Sequence, residues 1–230
     1  MNVVLLGMTV IAWMPPSADR IMELVKQLEV PTRHVDDEEV GPPVGAPPKF
    51  NYRFHRLVLV ELKRGGEAAV PTLLMLLEDT TKPGQARAQA ASLLIERLVG
   101  TKIKPDPKII AAINAALKEN DPALRWGVLT HLAGYGLANH CAFWEMLKKN
   151  AERERLSNLP PKQHDARDLM RSWGPPEERS FPPVVMDAFT ASVASTVLDE
   201  HPEVVGAAAR TLAWFGRPKI GVPELVTALK

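Results

Sequence analysis

A chain of 230 residues with 28 Lys and Arg against 27 Asp and Glu carries a net charge of +1, which excludes the basic footprint of a dedicated nucleic-acid binder. Hydrophobic residues at 46% with charged ones at 24% exclude a disordered chain. The one cysteine, Cys141, excludes an internal disulfide and a zinc site built from cysteines.

In chain order, Met1 to Ala18 carries no charged side chain, and Val3 to Met14 is nearly all apolar. Some 12 residues are too few to span a membrane, which takes about 20. They match the apolar region of a signal peptide, with Pro16-Ser17-Ala18 as a small-residue cleavage site, yet no Lys or Arg precedes them. Two readings stay open. Either residues 1–18 export the chain, or they form an N-terminal helix covering the first repeat of a cytoplasmic protein.

Asp19 to Val30 places Ile21, Leu24, Val25 and Leu28 at i, i+3, i+4 and i+7, one face of a helix. The insertion 31–49 follows, with five prolines and the acidic run Asp36 to Glu39, too polar and proline-rich to pack as a helix. It reads either as an interaction loop or as a solvated insert. Phe50 to Arg64 then runs to Gly65-Gly66. Its centre, Arg56 to Leu62, has a strand-like β-branched run, but a lone strand has nothing to pair with, so a helix is expected.

The 21 prolines fall as punctuation, in pairs and clusters that leave windows of helical length between them. Within those windows lie the stripes Val70, Leu73, Leu74, Leu77; Ile109, Ile110, Ile113, Ala116, Leu117; and Leu124, Val128, Leu132, Tyr135. Ala166, Leu169, Met170, Trp173; Val185, Phe189, Val193, Thr196, Val197; and Val222, Leu225, Val226, Leu229 repeat the pattern.

A period near forty residues organises these stripes. Pro83, Pro122, Pro161 and Pro202 are separated by 39, 39 and 41 residues, and the helix after each closes at Gly100, Gly136, Gly174 and Gly216. Glycine there suits the left-handed position that ends a helix. The units pair Val70–Asp79 with Gln85–Leu94, Ile109–Leu117 with Asp121–Gly134, Cys141–Arg155 with Asp165–Trp173, and Val184–Leu198 with Pro202–Gly216.

Asp121-Pro122-x-x-Arg125, followed by small and apolar residues and a glycine, resembles the turn and second helix of HEAT repeats, the two-helix units of armadillo-like α-solenoids. The 79–100 unit keeps Asp79 and Arg87. The unit from His201 keeps Pro202 and Gly216 but lacks the turn aspartate and has Val205 in the arginine position. The resemblance covers about residues 67–216, with 19–66 as a degenerate first repeat and 217–230 as either a half repeat or the truncation of a longer array. It implies an all-α fold, a right-handed α-solenoid of four to five hairpins. Structural roles follow for Asp79, Arg87, Asp121, Pro122, Arg125, Gly136, Pro202 and Gly216, with Arg87 and Arg125 tying one repeat's turn to the next.

Catalytic motifs are missing: the sequence holds no GxSxG, GxxxxGK[ST], strand-borne GxGxxG or HExxH. The six histidines never stand at i, i+4 spacing, so neither a metal nor another cofactor is implied. His140 and Cys141 are neighbours on a helix and point about 100° apart, so Cys141 reads as a buried structural thiol. Trp126, Trp144, Trp173 and Trp214 read as core, with Trp126 the most exposed because it falls out of step with Leu124, Val128 and Leu132.

Second helices carry Arg87, Arg97, Arg125, Arg167, Arg171 and Arg210 against Glu96, Asp165, Asp168 and Glu203; the resemblance to HEAT arrays, whose second helices line the concave surface, implies a mildly basic groove there. Arg125, Trp126, Arg167, Arg171 and Arg210 are the candidate contacts for a protein or peptide partner, acidic ones included. The reading is a non-catalytic scaffold, not an enzyme. Self-association through the apolar C-terminal edge is a further expectation. HEAT-like folds also occur among DNA glycosylases and bilin lyases, but a glycosylase groove would be strongly basic, and fold alone does not decide function.

Overall fold

The computed structural model describes residues 15–29, 56–100, 104–156 and 176–216; among them are nine α-helices, three 3₁₀ turns and no strand. The chain divides into two compact units, residues 1–93 and 94–230.

In the first unit, α1 (Ala18–Leu28) starts at Ser17, whose hydroxyl oxygen accepts the Arg20 N–H at 3.3 Å. Its expected stripe of Ile21, Leu24, Val25 and Leu28 is buried, each side chain worth about 1.5–3 kcal/mol of transfer free energy. The run from Arg56 is helical, as α2 (Arg56–Arg64), and packs on α1 with Val58 and Leu62 buried. Arg20 clamps the two helices by donating from Nε and Nη2 to the Glu61 carboxylate at 2.8 and 2.9 Å.

After the 3₁₀ turn Gly66–Ala69 comes α3 (Val70–Glu78), with Pro71 in its first turn, where no donor is lost. It buries Val70, Leu73, Leu76 and Leu77; Leu74, expected in the stripe, is only half-buried. Next is α4 (Gly84–Glu96), which crosses the boundary between the units.

The second unit holds two hairpins. In the first, α5 (Pro107–Ala116) and α6 (Pro122–Gly134) each begin behind an aspartate cap and carry proline in the first turn. The Asp106 carboxylate accepts the Lys108 N–H at 2.8 Å, and that of Asp121 accepts from Ala123 and Leu124 at 3.0 Å each. In the second hairpin, α8 (Pro183–Ser195) runs through the 3₁₀ turn Thr196–Leu198 to α9 (Pro202–Trp214). Between the hairpins stands α7 (Leu137–Leu156), followed by the 3₁₀ turn Pro176–Glu178 that packs on it.

The hairpins pack helix for helix, α5 on α8 and α6 on α9. The direct contact of α6 with α9 differs from the order implied by the period, in which a helix of the 141–174 unit would lie between them; of that unit, residues 141–156 are described. From Cys141 to Glu152, α7 buries only Leu147, unlike the stripe of a repeat helix. The excursion leaves and returns at one place: the Phe181 N–H donates to the Tyr135 carbonyl at 3.0 Å, and the Gly100 N–H to the Ser180 carbonyl at 2.9 Å. Phe181 anchors the return, with its ring 5.7 Å from Tyr135, 6.3 Å from Phe189 and 6.0 Å from Phe215.

The apolar stretch Val3–Met14, the insertion 31–49, the stripe Ala166–Trp173 and the stripe Val222–Leu229 lie outside the described residues. No helix among the described residues is long and apolar enough to cross a membrane.

Candidate interaction surface

The repeat positions form a connected set of contacts in the second unit. Arg125, one turn into α6, brings Nη1 to 2.8 Å from Asp199 Oδ2 in the turn before α9. The Asp199 side chain keeps 1% of its surface in solvent and Arg125 14%, so the pair is largely desolvated. The approach is an ion pair without an aligned hydrogen bond, and Arg125 Nε and Nη2 are buried with no partner among the described residues. Asp199 Oδ1 also accepts the His201 N–H at 2.9 Å, closing the turn into α9.

Asp199 is the aspartate that the sequence reading did not find. It stands three residues before Pro202, whereas Asp121 directly precedes Pro122; Asp79, four before Pro83, was the available hint that this offset varies. Asp79 closes its turn the same way, accepting Thr81 N–H at 3.0 Å and Thr81 O–H at 2.6 Å. Those two donors hold its carboxyl below the ordinary 3.8.

Arg87 has one contact that is clear. It is buried, and its Nε–H donates to the Leu77 carbonyl at 2.8 Å, tying α4 to the end of α3 within its own hairpin. Two of the arginines read as lining a basic groove, Arg87 and Arg125, are thus committed to internal contacts.

Trp126 is buried at 7% exposure, against the expectation that it was the most open tryptophan. The single-stripe assumption fails because α6 is covered by both α5 and α9, so it buries Leu124, Trp126, Gly127, Val128, Leu129, Leu132 and Ala133, more than one face. Arg125 is half-buried against Asp199, and Trp126 is buried. Cys141, expected in a core, is exposed on α7. Arg167 and Arg171 lie outside the described residues. Of the five candidate contacts, Arg210 is the one that the structure places in solvent.

The glycines that end the second helices do different jobs. Gly216 adopts φ 72°, the left-handed end expected. Gly136 does not have a positive φ; a Cβ there would stand 2.6 Å from the Trp214 carbonyl oxygen, so glycine is required for close approach of α9. Beside it the Thr211 hydroxyl lies 2.8 Å from the Ala207 carbonyl and 3.0 Å from that of Leu129, a contact from α9 to α6. Tyr135, in the same corner, has its phenol pushed up to about 12, first by burial and then by the nearby Glu96 charge.

Aligning α6 and α9 on Pro122 and Pro202 exposes an asymmetry. The α6 row that meets α9 and its turn is Arg125, Leu129, Ala133 and Gly136; the same positions on α9 are Val205, Ala209, Ala213 and Gly216. Val205 and Ala209 are half-buried, and Ala213 and Gly216 are exposed, with Gly206 and Arg210 exposed alongside. So α9 presents outward the row by which α6 receives a helix, now built of small residues. Among the described residues no cluster of His, Cys, Asp or Glu is arranged to hold a metal.

No protein-family model matches this chain, no curated protein is detectably similar to it, and no solved structure matches it.

Proposed function

We propose that this protein is a non-catalytic binding module of the HEAT-repeat, armadillo-like kind, a short α-solenoid that holds a helix of another protein along the outer row of α9. The observation that carries the reading is that row: Val205, Ala209 and Ala213 occupy the positions that on α6 are covered by a helix, yet Val205 and Ala209 are half-buried and Ala213 is exposed. Small side chains there let a partner backbone come close, and stacked hairpins of this kind work by offering such continuous surfaces. Arg210 beside the row favours a partner helix carrying acids. Further support comes from the way α8 and α9 repeat the packing of α5 and α6, and from the Arg125–Asp199 tie between the hairpins.

The test is affinity capture from a native lysate followed by mass spectrometry, with the wild-type chain, the double variant Ala209→Glu/Ala213→Glu, and Arg210→Glu as baits. A partner retained by the wild type, lost by the double variant and weakened by Arg210→Glu is the expected result. Partners held equally by all three baits, or duplex DNA bound with a steep salt dependence, would overturn the reading. A parallel bait with Arg167→Glu and Arg171→Glu asks whether those arginines add to the contact.

A further inference from the structure

The outward side of α8 carries a line of uncharged residues. Val184, Ala188, Ala191 and Ser195 are exposed, and at 100° per residue they lie within about 60° of one another round the helix. Leu198 closes the 3₁₀ turn that continues α8, three residues after Ser195, where side chains eclipse, so it extends the same line. Val184 and Leu198 are among the large apolar side chains most open to solvent, at 63 and 55%.

The helix in the equivalent place of the first hairpin is different. On α5 the exposed line is Lys108, Ala111, Ala115 and Lys118, closed at each end by a charge, as suits a face left in water. On α8 the ends are valine and leucine, and Asp187 is the only charged residue from Pro183 to Leu198.

The pattern of the line fits one occupant. Its steps of four, three, four and three residues average 3.5, the spacing at which one helix seats along another. It is also palindromic: Val184 and Leu198 stand seven residues either side of Ala191, with small residues at the positions between. An antiparallel copy of α8 meets this pattern in reverse, the condition for a two-fold interface in which one patch serves both chains. Reversed about Ala191, the alanines meet and let the helix axes close to about 8 Å. Val184 then faces the partner's Leu198 at both ends, and Asp187 falls opposite the partner's Ser195 and not opposite another acid. The one hydroxyl in the line is already satisfied, since Ser195 donates to the Ser192 carbonyl at 2.8 Å.

We propose that two copies of this chain pair antiparallel through α8, about a two-fold axis at Ala191. The 13 residues of α8 span about 20 Å. A crossing of that length belongs to the weak end of specific interfaces, below about 1,200 Å² of buried surface. The pair therefore forms reversibly and with rising concentration.

The test is sedimentation equilibrium of the full chain from roughly 10 to 500 μM, the range suited to so small an interface. The chain carries Cys141→Ser, so that the exposed thiol forms no bridge of its own. Monomer and dimer in exchange are expected. Ala191→Glu sets two carboxylates face to face at the axis and is expected to weaken dimerisation at least about tenfold, whereas Ala213→Glu on α9 is expected to leave it unchanged. Mild oxidation of single-cysteine variants in the same background reads the geometry without a charge at the axis. Ala191→Cys meets itself and is expected to form a linked dimer at least about tenfold faster than Val184→Cys, whose two copies lie about 21 Å apart along the helices. A monomer throughout the range, a dimer unmoved by Ala191→Glu or lost in Ala213→Glu, or equal oxidation rates for the two cysteines would overturn the proposal.

Discussion

Arg125 and Asp199 separate two roles that one side chain can hold. Asp199→Asn keeps an oxygen for the His201 N–H but removes the charge facing Arg125, while Asp199→Ala removes both. Stranding a buried charge costs about 3 kcal/mol, the low end of the range because Arg125 retains some solvent. The alanine variant is expected to lose about 1 kcal/mol more through the turn bond. Pairing Asp199→Asn with Arg125→Met is expected to recover to within about 1 kcal/mol of wild type, since the guanidinium's unpartnered nitrogens leave with it. Urea denaturation of the four chains reads all three differences. Gly136 gives a second residue-scale prediction. Its Cβ would meet backbone atoms of Trp214 at 2.6 and 2.7 Å, so Gly136→Ala is expected to cost about 2–3 kcal/mol. Gly134→Ala, with nothing within 4 Å, is expected to be neutral or slightly stabilising by the same measurement.

At the scale of elements, the α1–α2 clamp carries a pH dependence. The Arg20 guanidinium holds the Glu61 carboxyl below its ordinary 4.5, first through the hydrogen bonds and then through its charge. A carboxyl that ionises more readily in the folded chain contributes in full above pH 4.5, and the contribution drains away as pH falls through the lower folded value. The first unit is therefore expected to lose thermal stability below pH 4.5 more steeply in the wild type than in Glu61→Gln, by calorimetry across pH 3–6.

Periodicity made most helices legible: Ile21, Leu24, Val25 and Leu28 are buried together, as are Val185, Phe189 and Val193. It misjudged helices covered on more than one side. A single stripe cannot represent α6, which is why Trp126 seemed out of step. Asp199 was missed because the search sat on the residue before proline, whereas its function depends on the next-but-one N–H.

Across the second unit, what the sequence could not convey is which hairpins meet. A repeat of about forty residues treats the 141–174 unit as equal to its neighbours, whereas packing is decided by shape: the notch at Gly136, the hydroxyl of Thr211 and the Phe181 cluster bring α6 directly to α9. Because Tyr135 and Phe181 are joined by a backbone hydrogen bond, the excursion between them can be removed at little entropic cost. Replacing residues 137–179 with a few Gly and Ser residues is expected to leave the α5/α6 and α8/α9 packing intact. The check is cooperative thermal unfolding together with retained Asn114-to-Ala188 proximity, read by cross-linking cysteines placed at those two positions in a Cys141→Ser background.

The same pinned junction has a mechanical meaning. Tension applied along the chain would pass from Tyr135 to Phe181 across that clasp and bypass the intervening residues until the bond shears, after which the end-to-end distance would grow by roughly 3.3–3.6 Å for each residue released.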